Sequence, residues 1–299
     1  MGYLIHLLIY FDIYAIVALS LNLLVGYAGL LTFAHAGYFA VGAYTYALLS
    51  VVGGFGVLPA SLVAVLIAAF LSLAISLPSW RLKGDFFILV SLSVQTFFFS
   101  LYYNWTKAGA PLGSWSNLTN GPFGITNIPK PAILGFRITD PGHFLVFATC
   151  IALLCAFVCW RLQASPWGRL LISMREDELA CRGLGKNTRL LKVQTLALSS
   201  AFVAMAGTIY AAYAGYVDPT SSSLEEGILM LSMVLVGGVG NLRGPIVGAL
   251  LLTAFPEMLR FLHFPDAQAS NIRLAFYGLL LVLMMHLRPQ GLSGNYRMK

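Results

Sequence analysis

Charge is what this chain has least of. Of its 299 residues, 59% are apolar and 10% charged, and the mean hydropathy is +0.81. A soluble fold of that length cannot hide so much apolar surface from water, so the expected solvent is lipid. Catalytic signatures are missing as well. There is no H-E-x-x-H, no G-x-S-x-G and no G-x-x-x-x-G-K-[ST], which argues against a zinc hydrolase, a serine hydrolase and a nucleotide-binding subunit. The four cysteines (Cys150, Cys155, Cys159, Cys181) include no C-x-x-C pair, so neither a disulfide framework nor a metal site is expected. Strict apolar–polar alternation is absent, which disfavours a membrane barrel. The net charge of +7 is read as basic cytoplasmic loops rather than a nucleic-acid surface.

What is present is a series of long apolar runs at roughly 3–25, 34–52, 57–77, 85–103, 142–161, 193–216, 226–239, 245–263 and 272–288. Each approaches the length a helix needs to cross a bilayer. The expectation is an all-α, polytopic transmembrane bundle of about nine helices, within eight to ten, forming one domain over 1–299. Gly37 and Gly42 suggest a break in the second run, and the seventh is short enough to be re-entrant. The N-terminus lacks a basic n-region and a cleavage site, so the first run is read as a retained helix. Lys and Arg place the 163–192 loop, the turn carrying Arg81 and Lys83, the turn carrying Arg243 and the C-terminal tail in the cytoplasm. The 104–141 loop and the N-terminus then lie outside. That loop is a turn-built cap rich in Gly, Pro, Asn and Ser. Its sequons at Asn104 and Asn117 carry weight only in a secretory-pathway organism.

Polar residues inside apolar runs are costly and therefore informative. Asn22, His35 and Gln95 are candidates for a translocation path. For Asn22 and Gln95 the alternative is a hydrogen bond to a neighbouring helix. Asp12 and Glu257 are placed near the outer interface, where a carboxylate is cheap. So few ionisable groups fit poorly with an ion-coupled carrier, and no set of them fits an intramembrane enzyme. Coupling energy is expected to enter from outside the membrane.

One internal stretch breaks the pattern. "SPWGRLLISMREDELACRGLGKNTRLLK" (165–192) concentrates charge. Ser165 and Pro166 are start signals and Gly183 and Gly185 stop signals, so the spacing predicts one short helix. Arg175, Glu178 and Arg182 fall on one stripe, with Glu178 and Arg182 in the favourable i, i+4 order. The positive-inside rule does not explain the acids Glu176, Asp177 and Glu178. A helix seated in another protein does. A second motif, "GGVGNLRGP" (237–245), lacks the G-x-G-x-x-G spacing and follows an apolar helix, so it reads as a tight turn with Pro245 starting the next helix.

"LNLLVGYAGLLTFAHAGYFAVGAY" (21–44), "MREDELACRGLGKNT" (174–188), "LVGGVGNLRGPIVGA" (235–249) and "RPQGL" (288–292), in that order, resemble the M-type permease subunits of bacterial branched-chain amino-acid ABC importers. The resemblance spans nearly the whole chain. It implies an inner-membrane importer built from this subunit, a paralogous H-type permease, two ABC ATPase subunits and a periplasmic amino-acid-binding protein, with no cofactor on this chain and ATP bound by its partners. It further implies that Arg175, Glu176, Asp177, Glu178, Leu184 and Gly185 contact an ATPase. Gly237, Gly238, Gly240, Gly244 and Pro245 would form a helix turn supporting the pore, and residues 22–44 would lie on its pore side. Cys181, Arg182 and Gly183 depart from the small residues usual there. Urea, short amides and aromatic acids are the alternative substrates within the same subfamily.

Overall fold

The computed structural model describes residues 2–79, 84–133, 136–261, 266–287 and 290–293. The Arg81 and Lys83 turn, Arg288, the end of the tail and the Glu257 side chain lie outside the described residues. Among those described, eleven α-helices are present. Nine correspond to the nine apolar runs: α1 (Gly2–Asn22), α2 (His35–Val51), α3 (Val57–Ser79), α4 (Asp85–Asn104), α5 (Pro141–Ala164), α8 (Thr188–Ala214), α9 (Leu224–Gly237), α10 (Arg243–Phe261) and α11 (Asp266–Leu287). The other two, α6 (Pro166–Glu176) and α7 (Glu178–Gly183), make up the charged island. Among the described residues, four stretches are long and apolar enough to cross a bilayer by length and composition alone: Gly2–Ala28, Phe86–Asn104, Pro141–Ala164 and Thr188–Ala214.

The packing is inverted relative to a water-soluble bundle. On α3 the buried face is Ala60, Ala64 and Ala68, each fully buried, while Leu62, Leu66 and Phe70 on the other faces are 60–72% exposed. Small residues let backbones approach, and large apolar ones meet lipid. The same logic joins α2 to α8. A Cβ on Gly42 would run into the backbone of Ala204, and one on Gly207 would run into the Phe39 carbonyl. Helix α8 also packs along α1 and α3, and α1 packs against α5, α9 and α10.

The break expected inside the second run lies elsewhere. Helix α2 is continuous past Gly37 and Gly42. It is α1 that changes, passing into a π-helical turn over Leu23–Ala28 that Gly29 ends in the left-handed region at φ 68°. Gly37 and Gly42 serve close packing, against Phe98 and Ala204. Asp12 has a partner in a neighbouring helix. It is buried between α1 and α5, accepting a 2.6 Å bond from Thr149 Oγ1. In the 104–141 loop a two-stranded hairpin pairs Ala132–Ile133 with Phe136–Arg137. Asn117 is buried there and donates to the Ala110 carbonyl.

Gly207→Val should cost about 2 kcal/mol through overpacking at the α2–α8 crossing, read as a lower melting temperature in detergent. Gly183→Ala, where a Cβ meets nothing within 4 Å, should leave the melting temperature unchanged or slightly raised.

Candidate functional site

The charged island is two helices meeting at a corner, which corrects the single helix expected from sequence. Ser165 caps α6 as expected, its hydroxyl accepting from Gly168 N–H at 3.3 Å with Pro166 in the first turn. The helix then stops at Asp177, which is extended at φ −149°, ψ 101°. Its Oδ1 accepts from the Leu179 and Ala180 N–H groups, both at 2.9 Å. Asp177 is thus an N-cap, and capping is what a short acid does best when it flanks a helix. The stripe of Arg175, Glu178 and Arg182 is therefore divided between two helices.

Each acid has work within the chain. Glu176 pairs with Arg175 at 2.8 Å. Glu178 clamps α7 to α8: Oε1 accepts from Arg182 Nη2 at 2.6 Å and Thr188 Oγ1 at 3.1 Å, and Oε2 from Lys192 Nζ at 3.0 Å. Lys192 is 5% exposed, so a counter-charge there is obligatory. Burial alone would raise the Glu178 pKa. The bond and charge from Lys192, the Thr188 bond and Arg182 outweigh burial and hold it below the usual carboxylate range. Thr188 and Lys192 were not legible as its partners, because they lie ten and fourteen residues away across a helix start.

Beneath the island, Leu171, Met174 and Cys181 pack with Leu24, Tyr27, Ala28 and Leu30 of the π-turn region and with Leu191 and Leu196 of α8. The island's apolar residues include this inward set and two that face outward, Leu179 and Leu184, 68% and 78% exposed. Gly185, at φ 74°, turns the chain toward α8. Arg175 Nη1 donates to the Gly26 carbonyl of the π-turn, and its side chain lies against Gly29.

The π-turn also meets the glycine turn. Asn22 Oδ1 accepts from Gly240 N–H at 3.2 Å and its Nδ2 donates to the Asn241 carbonyl at 2.8 Å. The Tyr27 hydroxyl lies 2.9 Å from Gln163 Oε1 and 3.0 Å from the Gly240 carbonyl. Gly238 and Gly240 take φ of 104° and 89°, as the turn reading required. The next helix starts at Arg243, with Asn241 Oδ1 accepting from Gly244 N–H at 2.7 Å. Pro245 is its third residue rather than its first. Gly237 and Gly244 have no room for a side chain, since each faces the other's backbone. Leu292 and Ser293 then donate to the Val236 and Gly237 carbonyls, both at 2.9 Å. Segments from all four sequence blocks thus converge at one end of the bundle.

The remaining polar candidates join helices. Gln95 Oε1 accepts from Gly37 N–H at 2.8 Å, satisfying a donor in the first turn of α2, and its Nε2 donates to the Ser222 and Ser223 carbonyls. Asn22 and Gln95 are buried with both ends of their amides engaged, the geometry of helix-joining residues. His35 Nε2 lies 2.9 Å from Ser20 Oγ and 3.3 Å from Ser199 Oγ. Both hydroxyls also lie within hydrogen-bond reach of carbonyls, of Val17 and Ser20, and the buried Nδ1 of His35 has no hydrogen-bond partner. No cluster among the described residues could hold a metal ion.

The sequence pattern of the family described as "Branched-chain amino acid transport system / permease component" matches residues 3–285. The chain belongs to this permease family. It is 35% identical to the high-affinity branched-chain amino acid transport system permease protein LivM of Escherichia coli K12, over 94% of this chain and 67% of that protein. It is 28% identical to the probable branched-chain amino acid transport permease protein LivM of Methanocaldococcus jannaschii, over 96% and 92%. A more distant relative, the autoinducer 2 import system permease protein LsrC of Salmonella typhi, matches at 28% over 51% of this chain. No solved structure matches the chain. As a member of this permease family the chain is a transport subunit and not itself an ATPase.

Glu178→Gln should destabilise the permease by about 3 kcal/mol, because it strands a buried Lys192. Adding Lys192→Met should recover most of that loss in the thermal unfolding midpoint. Because the folded Glu178 pKa lies below the ordinary value of 4.5, the clamp contributes fully above that pH. It is lost as pH falls through the depressed value, and the double variant should lack that acid-dependent step.

Proposed function

We propose that this permease forms, with a paralogous permease subunit, the pore of an ATP-driven importer of branched-chain amino acids in the bacterial inner membrane. Its island seats in one of two partner ATPases, and a periplasmic binding protein delivers substrate at the opposite end. In this reading the island, the glycine turn and the C-terminus face the cytoplasm, and the N-terminus and the 104–141 loop face the periplasm. The substrate assignment rests on the family and on the branched-chain amino acid transport named for the relatives in Escherichia coli and Methanocaldococcus jannaschii.

One observation carries the docking role. The island's acids are occupied within the chain, yet Leu179 and Leu184 stand 68% and 78% exposed on a short, rigidly clamped helix corner. Apolar residues on a rigid, charged, water-facing corner are what a protein partner buries. The acids serve to shape the corner, with Asp177 setting the bend and Glu178 locking it to α8. ATPase closure then displaces a stiff body. Arg175 carries that displacement to the Gly26 carbonyl, and so to the junction of α1 and α2.

Leu179→Asp with Leu184→Asp should reduce co-purification of the ATPase, and ATP-driven uptake of radiolabelled leucine, by about tenfold, while permease abundance is unchanged. Parental levels of bound ATPase would refute the docking role.

A further inference from the structure

Two arginines where α5 meets α6 have no part in the docking corner. The outward stripe of α5, formed by Leu153, Leu154, Phe157 and Trp160, is 50–65% exposed. Arg161 and Ala164 continue the same face and are exposed as well. On a membrane span such a stripe meets acyl chains. Between His143 and Arg161 the helix carries no charge, a rise of about 27 Å that matches the hydrocarbon core. Its last turn, from Arg161 onward, therefore enters the headgroup layer, the depth at which exposed indoles such as Trp160 gather.

Arg169, in the first turn of α6, reaches back to this end of α5. Its Nη1 donates to the Ala164 carbonyl at 3.3 Å, one turn beyond Arg161. The corner that presents the two side chains is fixed. Ser165 caps α6, and the Trp167 indole donates to Gln194 Oε1 of α8 at 3.0 Å.

The ordinary explanation is that cations complement the C-terminal end of a helix, and Arg169 does cover one open carbonyl there. It leaves charge over. The island's acids are spent elsewhere: Glu176 on Arg175, Glu178 on Arg182 and Lys192, and Asp177 on the cap of α7. Among the described residues neither Arg161 nor Arg169 has a carboxylate within ion-pair distance. Two guanidiniums directed to one helix end, at the edge of hydrocarbon and with no counter-charge in the chain, are complementary to an anion at that depth.

We propose that Arg161 and Arg169 hold the phosphate of an anionic phospholipid at the α5–α6 corner, with its acyl chains along Leu153, Leu154, Phe157 and Trp160. The planar fork of a guanidinium matches phosphate oxygens, and the apolar stripe beside it serves a lipid but not a soluble phosphate. The lipid pins the joint between the membrane span and the island. This site follows from the chain's being a membrane permease and is independent of the substrate and docking readings.

The test is native mass spectrometry of the full-length permease in detergent, titrated with dioleoylphosphatidylglycerol or dioleoylphosphatidylcholine. The anionic lipid should bind about tenfold more tightly than the zwitterionic one. Arg161→Gln with Arg169→Gln should abolish that preference at an unchanged melting temperature, and Arg161→Gln alone, which leaves the Ala164 bond in place, should reduce it. Lys186→Gln with Arg189→Gln, which removes the same charge elsewhere on the island, should leave it intact. Equal binding of the two lipids, or equal loss in both double variants, overturns the site. Displacement of the lipid by glycerol 3-phosphate, which lacks acyl chains, would assign the arginines to a soluble phosphate and overturn it too. So would release of the lipid when ATPase subunits are added, which would make this corner a protein contact.

Discussion

The carbonyl of Gly26 and the guanidinium of Arg175 hold this molecule's working end together. Where α1 widens into a π-turn, its backbone falls out of the i, i+4 register and needs partners from elsewhere. In an apolar bundle those partners have to be supplied by the chain. Arg175 of the island supplies one by donating to the Gly26 carbonyl, while the side chains of Asn22 and Tyr27 bond outward to the glycine turn and to Gln163. The glycine turn in turn receives Leu292 and Ser293. One irregular helical turn thereby gathers segments from the whole length of the sequence. It also explains the composition of those segments, in which glycines allow the approach and amides and one arginine satisfy the exposed backbone.

The rest of the bundle follows from its solvent. Alanine and glycine face neighbouring helices, while leucine and phenylalanine face outward, as on α3. Without a hydrophobic drive between helices, close backbone contact and a few buried hydrogen bonds hold them in place. The bonds at Gln95, His35 and Asp12 tie α4 to α2, α2 to α1 and α8, and α1 to α5. For Gln95 this is the helix-joining bond that the sequence reading left open beside a translocation path.

Among the described residues, hydropathy was enough to locate the nine helices of the apolar runs, because long apolar stretches with little charge admit few other readings. Local chemistry was read well where it acts over a few residues. The Ser165 cap and the positive-φ glycines at 238 and 240 were legible for that reason. Two readings failed where a residue had two local roles. Asp177 passed for a helical acid when it was a cap, and Gly37 and Gly42 passed for a break when they were packing sites. The π-turn left no mark, since Leu23–Ala28 contains no proline and looks like ordinary helix. The clamps at Lys192 and Tyr27 depend on tertiary contacts between distant segments, which no local pattern encodes.

The central claim is that Arg175 passes movement of the island to the π-turn. The direct measurement is leucine transported per ATP hydrolysed, in proteoliposomes containing the complete importer with Arg175→Met. The account predicts a complex that assembles and hydrolyses ATP near the parental rate, with transport per ATP reduced about tenfold, the size of a typical coupling free energy. Parental transport per ATP, or hydrolysis and transport falling together in constant ratio, would contradict it.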